Sequence, residues 1–177
     1  MTALGSELPA FSLPDVRTGQ VIPFPQTAGK PILVMFICRH CPFVVHVKGE
    51  LARIGRDCAS TVEIAAISSN DVTYKADDSP ERLKQMAEAS GFLFPLFYDE
   101  SQDIARSFGA ACTPEFFLFD AERRLAYRGQ LDGSRPGNGV PVDGRDLRAA
   151  MDALLRGGRP SEQQRPSAGC NIKWKRK

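Results

Sequence analysis

The sequence predicts an α/β fold in which a mixed central sheet is flanked by helices. Three observations predict it. Short apolar runs rich in β-branched and aromatic residues recur along the chain, as buried strands do. Longer segments between them repeat apolar residues at helical spacing. The last two runs, Phe116-Phe117-Leu118-Phe119 and Leu125-Ala126-Tyr127-Arg128, are separated by a turn at Asp120-Ala121-Glu122, so they pair antiparallel, whereas strands joined through helices run parallel.

The elements follow in order. Turn formers crowd the first thirty residues (Pro9, Pro14, Gly19, Pro23, Pro25, Gly29), and Val16 to Ile22 reads as a short hairpin about Thr18-Gly19. Ile32 to Ile37 reads as a buried strand. A helix runs from about Pro42 toward Ala59, with Val44, Val45, Val47, Leu51 and Ile54 on its apolar face. Pro42 suits the first turn, where its missing N–H would have had no partner. Val62 to Ile67 is the next strand and ends in polar Ser68-Ser69-Asn70-Asp71. Ser79-Pro80 signals an N-cap and first turn for a helix through Ala89, stopped by Gly91. Phe94 to Tyr98 reads as a short strand. Ser101 caps a helix carrying Ile104, Ala105 and Phe108, ended by Gly109. After the hairpin, a glycine- and proline-rich loop from Asp132 to Gly144 leads to a last helix, about Arg145 to Arg156, with Leu147, Met151, Leu154 and Leu155 on one face.

The chain of 177 residues, 42% hydrophobic and 25% charged, suits one soluble domain. That domain is placed at 1–158. The segment 159–177 is polar and turn-rich, and reads as an extended or partly mobile tail, docked in whole or in part. A net charge of +2 implies no nucleic-acid partner and no membrane-surface role. No stretch approaches the roughly 20 apolar residues that span a bilayer. The N-terminus has neither a basic region nor a long apolar run, so a cytoplasmic, reducing location is expected.

Chemistry concentrates at Cys38-Arg39-His40-Cys41, where the first long strand gives way to a helix. A helix N-terminus offers free N–H groups and partial positive charge. Both stabilise a thiolate, the reactive form of cysteine. Arg39 and His40 add positive potential. The pair therefore reads as an exchangeable dithiol, with Cys38, the N-terminal and more accessible thiol, as nucleophile. Cys41, one turn into the helix, is its shielded resolving partner. Two inert buried thiols, or half of a zinc site, are the alternatives. No metal is favoured, because no second C-x-x-C exists, although His40, Cys112 or Cys170 could complete a site with the pair. Such a set would make a metal-binding or redox-sensing module. Cys58, closing the first long helix, reads as a core filler; Asp132, Arg135 and Asn138 could border the site or a partner surface, although turn chemistry alone explains them.

The order strand, C-x-x-C, helix, strand, helix, strand, then Thr113-Pro114 before a hairpin, resembles the thioredoxin superfamily. The stretch from Ile67 to Ala111 more closely resembles its alkyl hydroperoxide reductase and thiol-specific antioxidant (AhpC/TSA) branch, with an N-terminal hairpin and an inserted helix. Cys38 to Pro42, Cys112-Thr113-Pro114 and Pro166-Ser167-Ala168-Gly169-Cys170-Asn171-Ile172-Lys173-Trp174 resemble a bacterial subgroup with a Cys-x-His-Cys-Pro centre. The resemblance implies a thioredoxin-like fold and a thiol-disulfide oxidoreductase. It implies that Pro114 is a cis-proline lying against the two cysteines, and that Thr113 beside it pairs with a substrate chain. His40 precedes the second cysteine as in strongly oxidising DsbA-type centres, which implies a depressed pKa for Cys38. No organic cofactor is implied, because the cysteines carry the electrons. The implied partners are a disulfide-containing protein or small molecule and a recycling reductase. Thiol peroxidase, an antioxidant activity, is the alternative. Aligned on Cys41-Pro42, however, Val34 and Cys38 replace the peroxiredoxin proline and threonine. Cys112 and Cys170 are candidate additional redox thiols.

Overall fold

The computed structural model describes residues 2–176; Met1 and Lys177, the ends of the ranges assigned above, lie outside the described residues. Its centre is a five-stranded mixed sheet in the order β5-β4-β3-β7-β8. These are β3 (Ile32–Phe36), β4 (Glu63–Ser68), β5 (Leu96–Tyr98), β7 (Glu115–Phe119) and β8 (Leu125–Gly129). The first three run parallel to one another, and β7 and β8 are antiparallel, as the short turn predicts. This is the thioredoxin-like arrangement.

Alternation of side chains along the strands builds a core on each face. Leu33, Met35 and Ile37, with Phe116 and Leu118, point to one side. There they meet α1 (Pro42–Cys58), α2 (Pro80–Ser90) and α4 (Arg145–Leu155) through residues such as Val44, Leu51, Leu83, Leu147 and Met151. Ile32, Val34 and Phe36, with Phe117 and Phe119, point to the other. That side is covered by α3 (Asp103–Phe108) and by the hairpin of β1 (Phe11–Pro14) and β2 (Val21–Phe24). Phenylalanines dominate it: Phe11 stacks on Phe24 at 5.2 Å, and Phe108 meets Phe36 edge-on at 5.4 Å.

Element ends shift for identifiable reasons. The hairpin is longer than the predicted Val16–Ile22, because Phe11 and Phe24 pair across it and bury their rings. Ser79 caps α2 through a bond from the Arg82 N–H, and Gly91 ends it at φ 68°. For α3 the N-cap is Gln102, left-handed at φ 66°, rather than Ser101. Two elements were not foreseen. One is a 3₁₀ turn at Ala76–Asp78; the other is a small sheet of β6 (Cys112–Thr113) with β9 (Cys170–Asn171).

Of the two states expected for the tail, the structure shows it docked. Ile172 is buried in the aromatic core. The Lys173 N–H donates to Asn70 Oδ1 at 2.8 Å, and its carbonyl accepts from the Asp71 N–H at 2.8 Å. Gln102, fully buried, donates to the Lys173 and Ser69 carbonyls and accepts from the Lys175 N–H. The Arg106 guanidinium lies over Trp174. No helix among the described residues is long and apolar enough to cross a membrane.

Candidate active site

The two cysteines lie where β3 delivers the chain to α1. The Ile37 N–H still pairs with the Ile67 carbonyl, so the sheet holds the start of the loop. Cys41 is the N-cap residue of α1, with extended φ −71° and ψ 122°, and Pro42 occupies the first turn. This corrects the predicted placement of Cys41 one turn inside the helix. It also removes the predicted difference in access, since both cysteines are fully buried.

Thr113 touches both sulfurs. Its hydroxyl lies 3.2 Å from Cys38 Sγ, and its carbonyl accepts from Cys41 Sγ at 3.2 Å. The Thr113–Pro114 bond is cis. Glu115 fixes this segment by accepting from the Ala111 N–H at 2.7 Å while pairing with buried Arg128.

Beneath the loop lies a carboxylate that the sequence did not reveal. Asp78, fully buried, accepts from the Arg39 N–H at 2.7 Å and the His40 N–H at 3.2 Å. It accepts from His40 Nδ1 at 2.5 Å and Asn70 Nδ2 at 2.8 Å as well. A buried carboxylate needs such partners to repay its lost hydration. His40 Nδ1 is also 3.7 Å from Cys38 Sγ, so the ring stands between sulfur and carboxylate. Arg39 does not turn to the sulfurs; its guanidinium pairs with Asp77 at the surface.

These neighbours set the charge of the pair. Hydrogen bonding between the neighbouring thiols, then burial, then the Asp78 carboxylate push the Cys38 thiol far above its usual range. Cys41 is held well below it, first by the same hydrogen bonding and, against burial, by the Cys170 thiol and the N–H groups of Val44 and Cys170. This direction is opposite to the depression predicted for Cys38. The thiolate is favoured at the helix N-cap, where unpaired N–H groups are concentrated.

The remaining thiols separate clearly. Cys112 donates to the Pro114 carbonyl at 3.9 Å, and burial pushes it up to about 12. Cys170 stands opposite Thr113 in the β6–β9 pairing and packs against the cluster that holds Cys38 and Cys41. Cys58 is half-buried against the same core. Cys38, His40 and Asp78 present ligand atoms within 4.8 Å of one another. Asp78 has both oxygens committed to donors, and His40 would have to surrender its bond to it before the three could hold a metal. Three residues of this site, Asp78, Asn70 and Gln102, escaped the sequence reading. Only Asn70 carried a signal, the polar run Ser68–Asp71 at the carboxyl end of a parallel strand, where α/β sheets place their sites.

Comparison with known proteins agrees with this architecture. The AhpC/TSA family model matches residues 4–128. An uncharacterized conserved protein from Geobacillus kaustophilus is 47% identical, covering 100% of this chain and 95% of its own, with a TM-score of 0.96. A hypothetical protein from Sinorhizobium meliloti is 44% identical over 100% of this chain and 97% of its own, with a TM-score of 0.97. A thioredoxin-family thiol:disulfide interchange protein from Chlorobium tepidum shares the fold at a TM-score of 0.67 and 17% identity, over 88% of this chain and 99% of its own. No curated protein matches.

Proposed function

The chain belongs to the AhpC/TSA family, and from that premise we propose that it is a dithiol–disulfide oxidoreductase exchanging electrons through Cys38 and Cys41. The observation that carries this reading is the pair of buried thiols at a helix N-cap, both bonded to Thr113. Cys41, as thiolate, attacks one sulfur of a substrate disulfide. A Cys41–substrate bond forms, and the other substrate sulfur leaves as a thiolate and takes up a proton. Cys38 then loses its proton and attacks the Cys41 sulfur. The second substrate thiol departs, and the two enzyme sulfurs are left joined. This order is the reverse of the one expected from the sequence, and what supports it is the N-cap position of Cys41, where free helix N–H groups favour a thiolate.

Asp78 and His40 would accept and position the proton that Cys38 must shed. Arg39 contributes its N–H to Asp78, and Thr113 and Pro114 form the wall against which a substrate sulfur would rest. The substrate is a disulfide-containing protein or small molecule, a reductase restores the dithiol, and a cytoplasmic setting suits reduction. The cysteines need no organic cofactor or metal for this cycle.

Redox titration with alkylated thiols mapped by peptide mass tests the proposal. A reversible Cys38–Cys41 couple supports it. A potential near about −270 mV would make the protein a reductant, and one near about −120 mV an oxidant. Failure to form any disulfide across the range would sink it. A thiol peroxidase is favoured by one observation, a cysteine at the N-cap directly before Pro42. Peroxide would convert Cys41 to a sulfenic acid with release of an alcohol or water, and Cys38 would then close the disulfide and expel water. Peroxide consumption that Cys41→Ser abolishes would support that activity.

A further inference from the structure

Cys38 and Cys41 are fully buried, and the third thiol of the cluster is not. Cys170 retains partial exposure while it packs against the cluster that holds Cys41. Its position is built rather than accidental. It pairs with Thr113, the residue bonded to both active sulfurs. Gly169 before it lies so close that a Cβ there would collide with the Thr113 carbonyl. Beyond it, buried Ile172 and the bonds from Asn70, Asp71 and Gln102 fix the strand lengthwise. Asn70 holds Asp78 through its amide nitrogen and the tail through its oxygen, so a single side chain ties both to the same place.

We propose that Cys170 is a relay thiol through which the buried pair exchanges with thiols in solution. This rests on the dithiol reading above. Starting from the Cys38–Cys41 disulfide, Cys170 loses a proton and attacks the Cys41 sulfur. A Cys41–Cys170 bond forms, and Cys38 leaves as a thiolate and is protonated. An external thiol then attacks the Cys170 sulfur, the reachable end of the new bond. Cys41 is released as its favoured thiolate, and Cys170 carries the external group. A second external thiol removes that group, leaving an external disulfide and a free Cys170. Two external thiols are oxidised and one protein disulfide is reduced. The same steps reversed carry oxidation inward.

The experiment uses the full chain with oxidised and reduced glutathione, followed by acid quenching, alkylation and peptide mass mapping. In Cys38→Ser, oxidation should give a Cys41–Cys170 disulfide. In Cys170→Ser, the Cys38–Cys41 disulfide should still form, but its reduction should slow by about tenfold or more, because the thiolate must reach a buried sulfur directly. Gly169→Ala, which displaces the strand but leaves every cysteine in the chain, should slow reduction similarly. A Cys38→Ser protein that gives only glutathionylated Cys41, or a Cys170→Ser protein reduced at the parent rate, would overturn the relay. If the parent chain forms no Cys38–Cys41 disulfide, it is the dithiol reading that fails. A couple that forms and breaks independently of Cys170 removes the relay alone.

Discussion

At Asp78 a single carboxylate organises the loop from below, accepting from Arg39, His40 and Asn70 at once. Asp78→Asn puts a donor where several donors already converge. Reduced protein should lose stability, by roughly 1–3 kcal/mol for each buried donor left without an acceptor, read as a lower thermal midpoint. The same change withdraws a negative charge from Cys38, so its thiol should ionise at lower pH than in the parent. The pair itself gives a sharper test. Thiolate absorbance of the reduced protein should show one sulfur ionised well below the usual thiol pKa of about 8.5. Cys41→Ser should abolish that low-pH step. Cys38→Ala, which removes the leading stabilising donor, should move it upward. A low-pH step that survives Cys41→Ser would place the thiolate elsewhere. At this scale the sequence showed which thiols matter but not which is charged. Cys41 and Cys38 differ through their effect on each other, through burial and through Asp78, forty residues beyond Cys38 in the chain and brought near only by folding.

Among the elements, those governed by local chemistry were legible and those made by docking were not. The Ser79 cap and the Gly91 stop of α2 are written in residues that dictate their own backbone. So is the alternation of Leu33, Met35 and Ile37 against Ile32, Val34 and Phe36, which settles both faces of β3. The two-residue strands β6 and β9 have no such signature. They exist because Ile172 finds the aromatic core and Gly169 tolerates the Thr113 carbonyl. Ile172→Ala should therefore act locally. The cost is about 2–5 kcal/mol for a well-buried site, enough to free the tail before the domain melts. Hydrogen exchange at the Ile172 and Lys173 amides should accelerate, and Cys41 should become open to alkylation, while exchange in β3 stays unchanged. Equal acceleration in β3 would mean that the tail melts only with the whole fold.

For the molecule as a whole, the opposed shifts of the two thiols set a stability profile with a turnover. Cys41 ionises more readily folded than unfolded, so its contribution is present above the unfolded pKa of about 8.5 and is lost as pH falls toward the folded value. Cys38 is shifted the other way, so its contribution is intact below the unfolded value and declines above it. Denaturant titrations of reduced protein should thus show stability rising from mildly acid pH to about pH 8 and falling beyond it. Cys41→Ser should flatten the rising limb. The global architecture was readable because strand order, the short turn and the family resemblance agree. The tail was left between docked and partly mobile because its polar composition suits solvent as well as it suits Asn70, Asp71 and Gln102. That docked strand also changes how the rest of the protein should be viewed. Residues 169–176 behave as a peptide ligand permanently supplied by a tether, at an effective concentration of the order of millimolar. A chain shortened before Gly169 would become a receptor with an empty groove beside its reactive sulfur. A free peptide of the sequence Gly-Cys-Asn-Ile-Lys-Trp should then bind to it saturably.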